Sequence, residues 1–93
     1  MKSVHVIVTG KVQRVGYRSW CMGQAQALSL NGWVRNRVDG YVEAVFSGED
    51  EAVNKMVAKC KKGPLLAKVQ HTKVKEWTQP IENSGFVTLE TIL

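Results

Sequence analysis

Apolar and polar residues alternate through SVHVIVT, residues 3–9, in a segment rich in β-branched side chains, and this predicts a first strand. From about Tyr17 to Leu30 the spacing changes to that of a helix, with Tyr17, Cys21, Ala25 and Leu28 on one stripe. Asn31–Gly32 is the expected left-handed stop of that helix. Trp33 to Asn36 predicts a short strand, and RNRVDGYVEAVFSG, residues 35–48, a hairpin. Its turn is Val38–Asp39–Gly40 and its return strand carries Tyr41, Val42, Ala44, Val45 and Phe46. A second helix is predicted from about Glu49 to Lys62, buried along Val53, Met56, Val57 and Cys60. Its acidic start and basic end suit the helix dipole, and Gly63–Pro64 stops it. Val69 to Trp77 alternates as a strand, and Phe86 to Ile92 predicts a short last one.

The order is therefore β-α-β-β-α-β with a short extra C-terminal strand. Ninety-three residues make one domain, residues 1–93, too small for a second layer of helices. Two antiparallel helices must then cover one face of an antiparallel sheet, which is the ferredoxin-like α+β sandwich. Antiparallel helices also bring Cys21 and Cys60 close together under one end of the sheet. Packing is their expected role, with a reversible disulfide as the lesser alternative.

Composition narrows the partners. No apolar run reaches the length of a membrane span, and residues 1–9 lack the apolar stretch and cleavage site of a signal peptide. A cytosolic monomer with free thiols is expected. Isolated His5 and His71, without any CxxC, provide no zinc spacing, so neither a metal nor another cofactor is expected. The net charge of +5 invites an anionic partner. Part of that excess is the KCKK run at 59–62, which the end of the second helix explains. A second cluster, Lys11, Arg14 and Arg18, lies in GKVQRVGYR, residues 10–18, between the first strand and the first helix.

That stretch is built to hold an anion. Successive amides in a tight loop can converge on a phosphoryl group, and the helix that follows adds its positive end. Gly10 and Gly16 allow such a backbone. The Gly-Lys-Ser/Thr ending of a nucleotide loop is missing, which argues against a nucleoside triphosphate. Arg18 can grip two phosphoryl oxygens with its guanidinium fork while amides hold the third. A solvated Arg18 would oppose the helix dipole, so a bound anion explains it better.

These residues resemble the acylphosphatase family, whose loop runs G-x-V-Q-G-V-x-[FY]-R. Gly10, Val12, Gln13, Val15, Tyr17 and Arg18 match it. GWVRNRVDGYVE, residues 32–43, resembles a second family signature, and KKGPLLAKV, residues 61–69, the exit from the family's second helix. The resemblance implies hydrolysis of acyl phosphates by a metal-independent enzyme. Arg18 and the amides from Gln13 through Arg14, Val15, Gly16 and Tyr17 to Arg18 would bind the phosphoryl group, and Asn36 would orient the attacking water. Arg14 stands where the family usually has glycine. If that position needs a positive φ, arginine strains the loop; alternatively it supplies a second cation beside the anion.

The chemistry suits so sparse a site. A carboxylate leaving group, with a pKa of about 4.3, departs without a general acid, and phosphoryl transfer asks mainly for positioning and charge stabilisation. The loop has no Asp, Glu, Cys or His, and His5 is expected to be a packed or surface side chain. Asn36 lies inside a strand, where asparagine is disfavoured, and a site explains it better than the turn does. Trp33 and Tyr41 are expected to pack. Two alternatives remain: a catalytically weakened binding domain on this fold, and a basic nucleic-acid module. The latter needs exposed aromatics on the central strands, and the first strand has none.

Overall fold

The computed structural model describes residues 1–91. Its elements are β1 (Lys2–Lys11), α1 (Tyr17–Ala27), β2 (Asn31–Asn36), β3 (Val42–Gly48), α2 (Asp50–Lys62), β4 (Lys68–Glu76) and β5 (Phe86–Thr88). The strands form one sheet in the order β4-β1-β3-β2-β5, the ferredoxin-like arrangement with an added edge strand. Four strands pair antiparallel as expected, but β5 lies parallel to β2, so the sheet is mixed. The predicted last strand extended to Ile92, which lies outside the described residues; β5 itself ends at Thr88.

Alternation decides the layers. Val4, Val6 and Val8 of β1 point to the helix side, where they meet Tyr17, Cys21 and Ala25 of α1 and Val53, Met56 and Cys60 of α2. Phe46 stacks on Phe86 with ring centroids 5.3 Å apart, tying the added strand to the core. Leu28, expected on the buried stripe of α1, is only partly buried, and Leu30 fills the core beyond the helix end instead. Cys21 and Cys60 are free and buried. Hydrogen bonding with Cys60, together with burial, pushes the Cys21 thiol well above its ordinary pKa, so it stays protonated and inert.

Two glycines have roles other than those expected. α1 does not stop on Asn31–Gly32. Ser29 takes the left-handed conformation at φ 56°, and the Leu30 and Ser29 amides bond to Ala25 O and Gln26 O, each at 3.0 Å. This is a Schellman closure with serine in the usual glycine position. Gly32 belongs to β2, where an added Cβ would strike the carbonyl of Val45 on β3. Gly10 likewise lies in β1 rather than in the loop, at a register shift against β4 where a Cβ would strike Lys68 O. Both glycines serve close strand approach.

The open face of the sheet carries charge. Glu43 on β3 is only 9% exposed. It accepts a hydrogen bond from Arg35 Nε on β2 at 2.8 Å and lies 2.6 Å from His5 Nε2 on β1. Trp77 stacks on His5, and Arg35 lies over Trp33 at 4.5 Å. His5 and Trp33 are packed as expected, whereas Tyr41 is 40% exposed.

Candidate active site

The loop from Val12 to Gly16 leaves β1 and turns into α1. Gly16 is the N-cap, in the left-handed region at φ 78° and ψ 17°, and no side chain caps the helix. A left-handed cap turns the chain sharply and leaves the first amides of α1 facing outward. Among the described residues, none of the amides from Gln13 to Ser19 finds a backbone or side-chain acceptor. A run of unpartnered N–H groups at a helix start is an anion-binding surface.

Of these residues Arg14, Gly16, Tyr17, Arg18 and Ser19 line a pocket of about 330 Å³, together with Val12, Met22, Asn36 and Thr88. Its lining includes two arginines and no Asp or Glu. Among the described residues neither Arg14 nor Arg18 is ion-paired. Asn36, the last residue of β2, projects to the helix side because its neighbour Arg35 faces the other way. Its Oδ1 is buried and has no hydrogen-bond partner. Such an orphan costs about 1–3 kcal/mol, which a structural role alone does not explain.

The structure thus brings Arg14, Gly16, Arg18 and Asn36 to one pocket, with Tyr17 at its edge. Gln13 and Val15 are not part of the lining. Gln13 points the other way, and its Nε2 donates to Arg37 O at 2.7 Å and to Tyr41 O at 2.9 Å. It fastens the loop to the β2–β3 hairpin. Val15 packs against the core. The Tyr17 ring is buried and its hydroxyl donates to Cys60 O at 2.8 Å; burial pushes the phenol far above its ordinary pKa. For these three residues the amide is what remains for a ligand.

Arg14 has a φ of 62°, so the position does require the left-handed conformation. The side chain is exposed at the pocket rim. Sequence reasoning missed Ser19, Met22 and Thr88. Ser19 adjoins Arg18, and Met22 lies one helical turn beyond it, a spacing that could have pointed to it. Thr88, whose Oγ1 is 3.4 Å from Met22 Sδ, arrives with β5, and only the strand pairing brings it there.

A family model described as Acylphosphatase matches residues 4–88. An acylphosphatase of Methylococcus capsulatus is 44% identical over 92 residues, covering 99% of this chain and 100% of the relative. One from Acidiphilium cryptum is 42% identical over 91 residues, 98% of this chain and 99% of that one. The crystal structure of the Bacillus subtilis acylphosphatase matches with a TM-score of 0.90 at 34% identity, covering 96% of this chain and 99% of that chain.

Proposed function

The chain belongs to the acylphosphatase family and hydrolyses acyl phosphates, and from that premise we propose how its residues carry the reaction. The phosphoryl group sits on the amides of Gln13 to Arg18, held at two oxygens by the Arg18 fork. Asn36 Oδ1 accepts a hydrogen bond from a water and aims its oxygen at phosphorus. The water oxygen bonds to phosphorus as the bond from phosphorus to the acyl oxygen breaks, and the carboxylate leaves with that electron pair. The water's proton passes to a phosphoryl oxygen, so no side-chain base is required. The amides and Arg18 gain most from the charge on the equatorial oxygens in the transition state.

One observation carries this reading: a buried asparagine oxygen with no partner borders the same pocket as an unpaired arginine and unpartnered amides. We further take residues 1–93 to act as a single domain and a cytoplasmic monomer, on small acyl phosphates rather than on nucleic acid. Two buried, adjacent free thiols suit a reducing compartment.

The test is hydrolysis of benzoyl phosphate in EDTA by the wild type, Arg18→Ala and Asn36→Ala. Metal-independent turnover by the wild type, lost in both variants with circular dichroism unchanged, is the expected result. Turnover that survives Asn36→Ala would remove Asn36 from the mechanism.

A further inference from the structure

Arg14 is not needed by the phosphoryl group alone. In the reading above, the Arg18 fork and the amides of the loop and helix start suffice for the three peripheral oxygens. A second guanidinium at the rim exceeds that demand, and it is held there in a left-handed conformation at φ 62° that glycine would adopt without strain. No carboxylate lines the pocket, so nothing within it neutralises Arg14. Its side chain is exposed and lines the pocket, within reach of the acyl part of a substrate whose phosphoryl end is turned to the amides.

Resting on the reading above, we propose that Arg14 is a specificity residue, selecting acyl phosphates whose acyl part carries a second anionic group, a carboxylate. The fork geometry of the guanidinium matches a carboxylate, and its exposure keeps the contribution moderate. The contact is present in both ground state and transition state, so it lowers KM more than it raises kcat.

The probes are 4-carboxybenzoyl phosphate and benzoyl phosphate, which differ only in the distal charge. The readout is the ratio of their kcat/KM values in the wild type, Arg14→Gly, Arg14→Asn and Arg14→Lys. Asparagine tolerates the left-handed conformation and is neutral, so it separates charge from backbone. Because the electronic effect of the substituent on the leaving group is common to all four proteins, it cancels between them. The ratio is expected to fall about five-fold in both neutral variants, mainly through KM, and to be largely kept by lysine. In the wild type it should also fall with added salt, and in Arg14→Gly it should not. A ratio unmoved by Arg14→Gly and Arg14→Asn would overturn the proposal while leaving the hydrolase reading intact. A wild type that turns over neither compound would overturn both.

Discussion

Arg14 and Asn36 are each kept at a cost to the fold. A buried carbonyl oxygen without a partner destabilises the native state, and so does a non-glycine residue at positive φ. Arg14→Gly is expected to stabilise the protein by about 1 kcal/mol through relief of the left-handed strain, offset in part by the greater freedom of glycine in the unfolded chain. Urea denaturation measures it, and a destabilised variant would mean that the arginine side chain has a packing role. Asn36→Ala is expected to leave the melting temperature unchanged or raise it, while kcat drops about 100-fold or more. A large loss of stability in that variant would instead make Asn36 a structural residue. Both positions were legible as single letters, Asn36 because asparagine is disfavoured in strands and Arg14 because it replaces a glycine. Which backbone conformation Arg14 adopts was not legible, since φ is settled by the closure of the whole loop.

At the level of elements, the site depends on how the loop is fastened to the hairpin that ends β2. Arg18 stands on α1 and Asn36 on β2, and Gln13 holds the two parts together through Arg37 O and Tyr41 O. Both acceptors are carbonyls, so a donor is required. Gln13→Ala should therefore lower kcat/KM about ten-fold through misplacement of the loop relative to the water, and Gln13→Glu, whose carboxylate would face two carbonyl oxygens, by at least as much. Steady-state kinetics of the two variants checks this, and full activity in Gln13→Glu would show that the amide donor is dispensable. The sequence placed Gln13 in the loop, yet its side-chain role was hidden because its partners lie across a hairpin whose register had to be known first. Gly10 and Gly32 were hidden for the same reason. Each reads locally as a loop or a helix stop, and only the strand pairing reveals the neighbouring carbonyl that excludes a Cβ. Helix positions, the hairpin and most of each buried stripe were legible, because 3.6-residue and two-residue periods are local properties of the chain; Leu28 and Val57, at the margins of the stripes, are only partly buried.

Across the whole molecule the two faces of the sheet divide the work. The helix side carries the core and the pocket, and the open side is held together by Glu43 between His5 and Arg35. Alternation along β2 makes these tasks interdependent, because Arg35 must face the open side for Asn36 to face the pocket. Burial would by itself push the Glu43 carboxyl up, but the hydrogen bonds from His5 and Arg35 and their charges outweigh it, and the folded-state pKa lies below the ordinary value. A depressed carboxylate pKa means that the unfolded chain binds the proton more readily. The contribution to stability is therefore complete above the unfolded pKa of about 4.3, and it is lost as pH falls from there through the lower folded value. Chemical denaturation between pH 7 and pH 3 should show stability falling at the acid end in the wild type. In Glu43→Gln stability should start lower at pH 7, because one partner of a buried pair is lost, and the decline over the acid window should be shallower. An unchanged acid slope in Glu43→Gln would place the source of acid sensitivity elsewhere. If the open face positions Asn36 through Arg35, Glu43→Gln should also lower kcat at neutral pH, where the site itself is untouched, and that readout separates a positioning role from mere loss of stability.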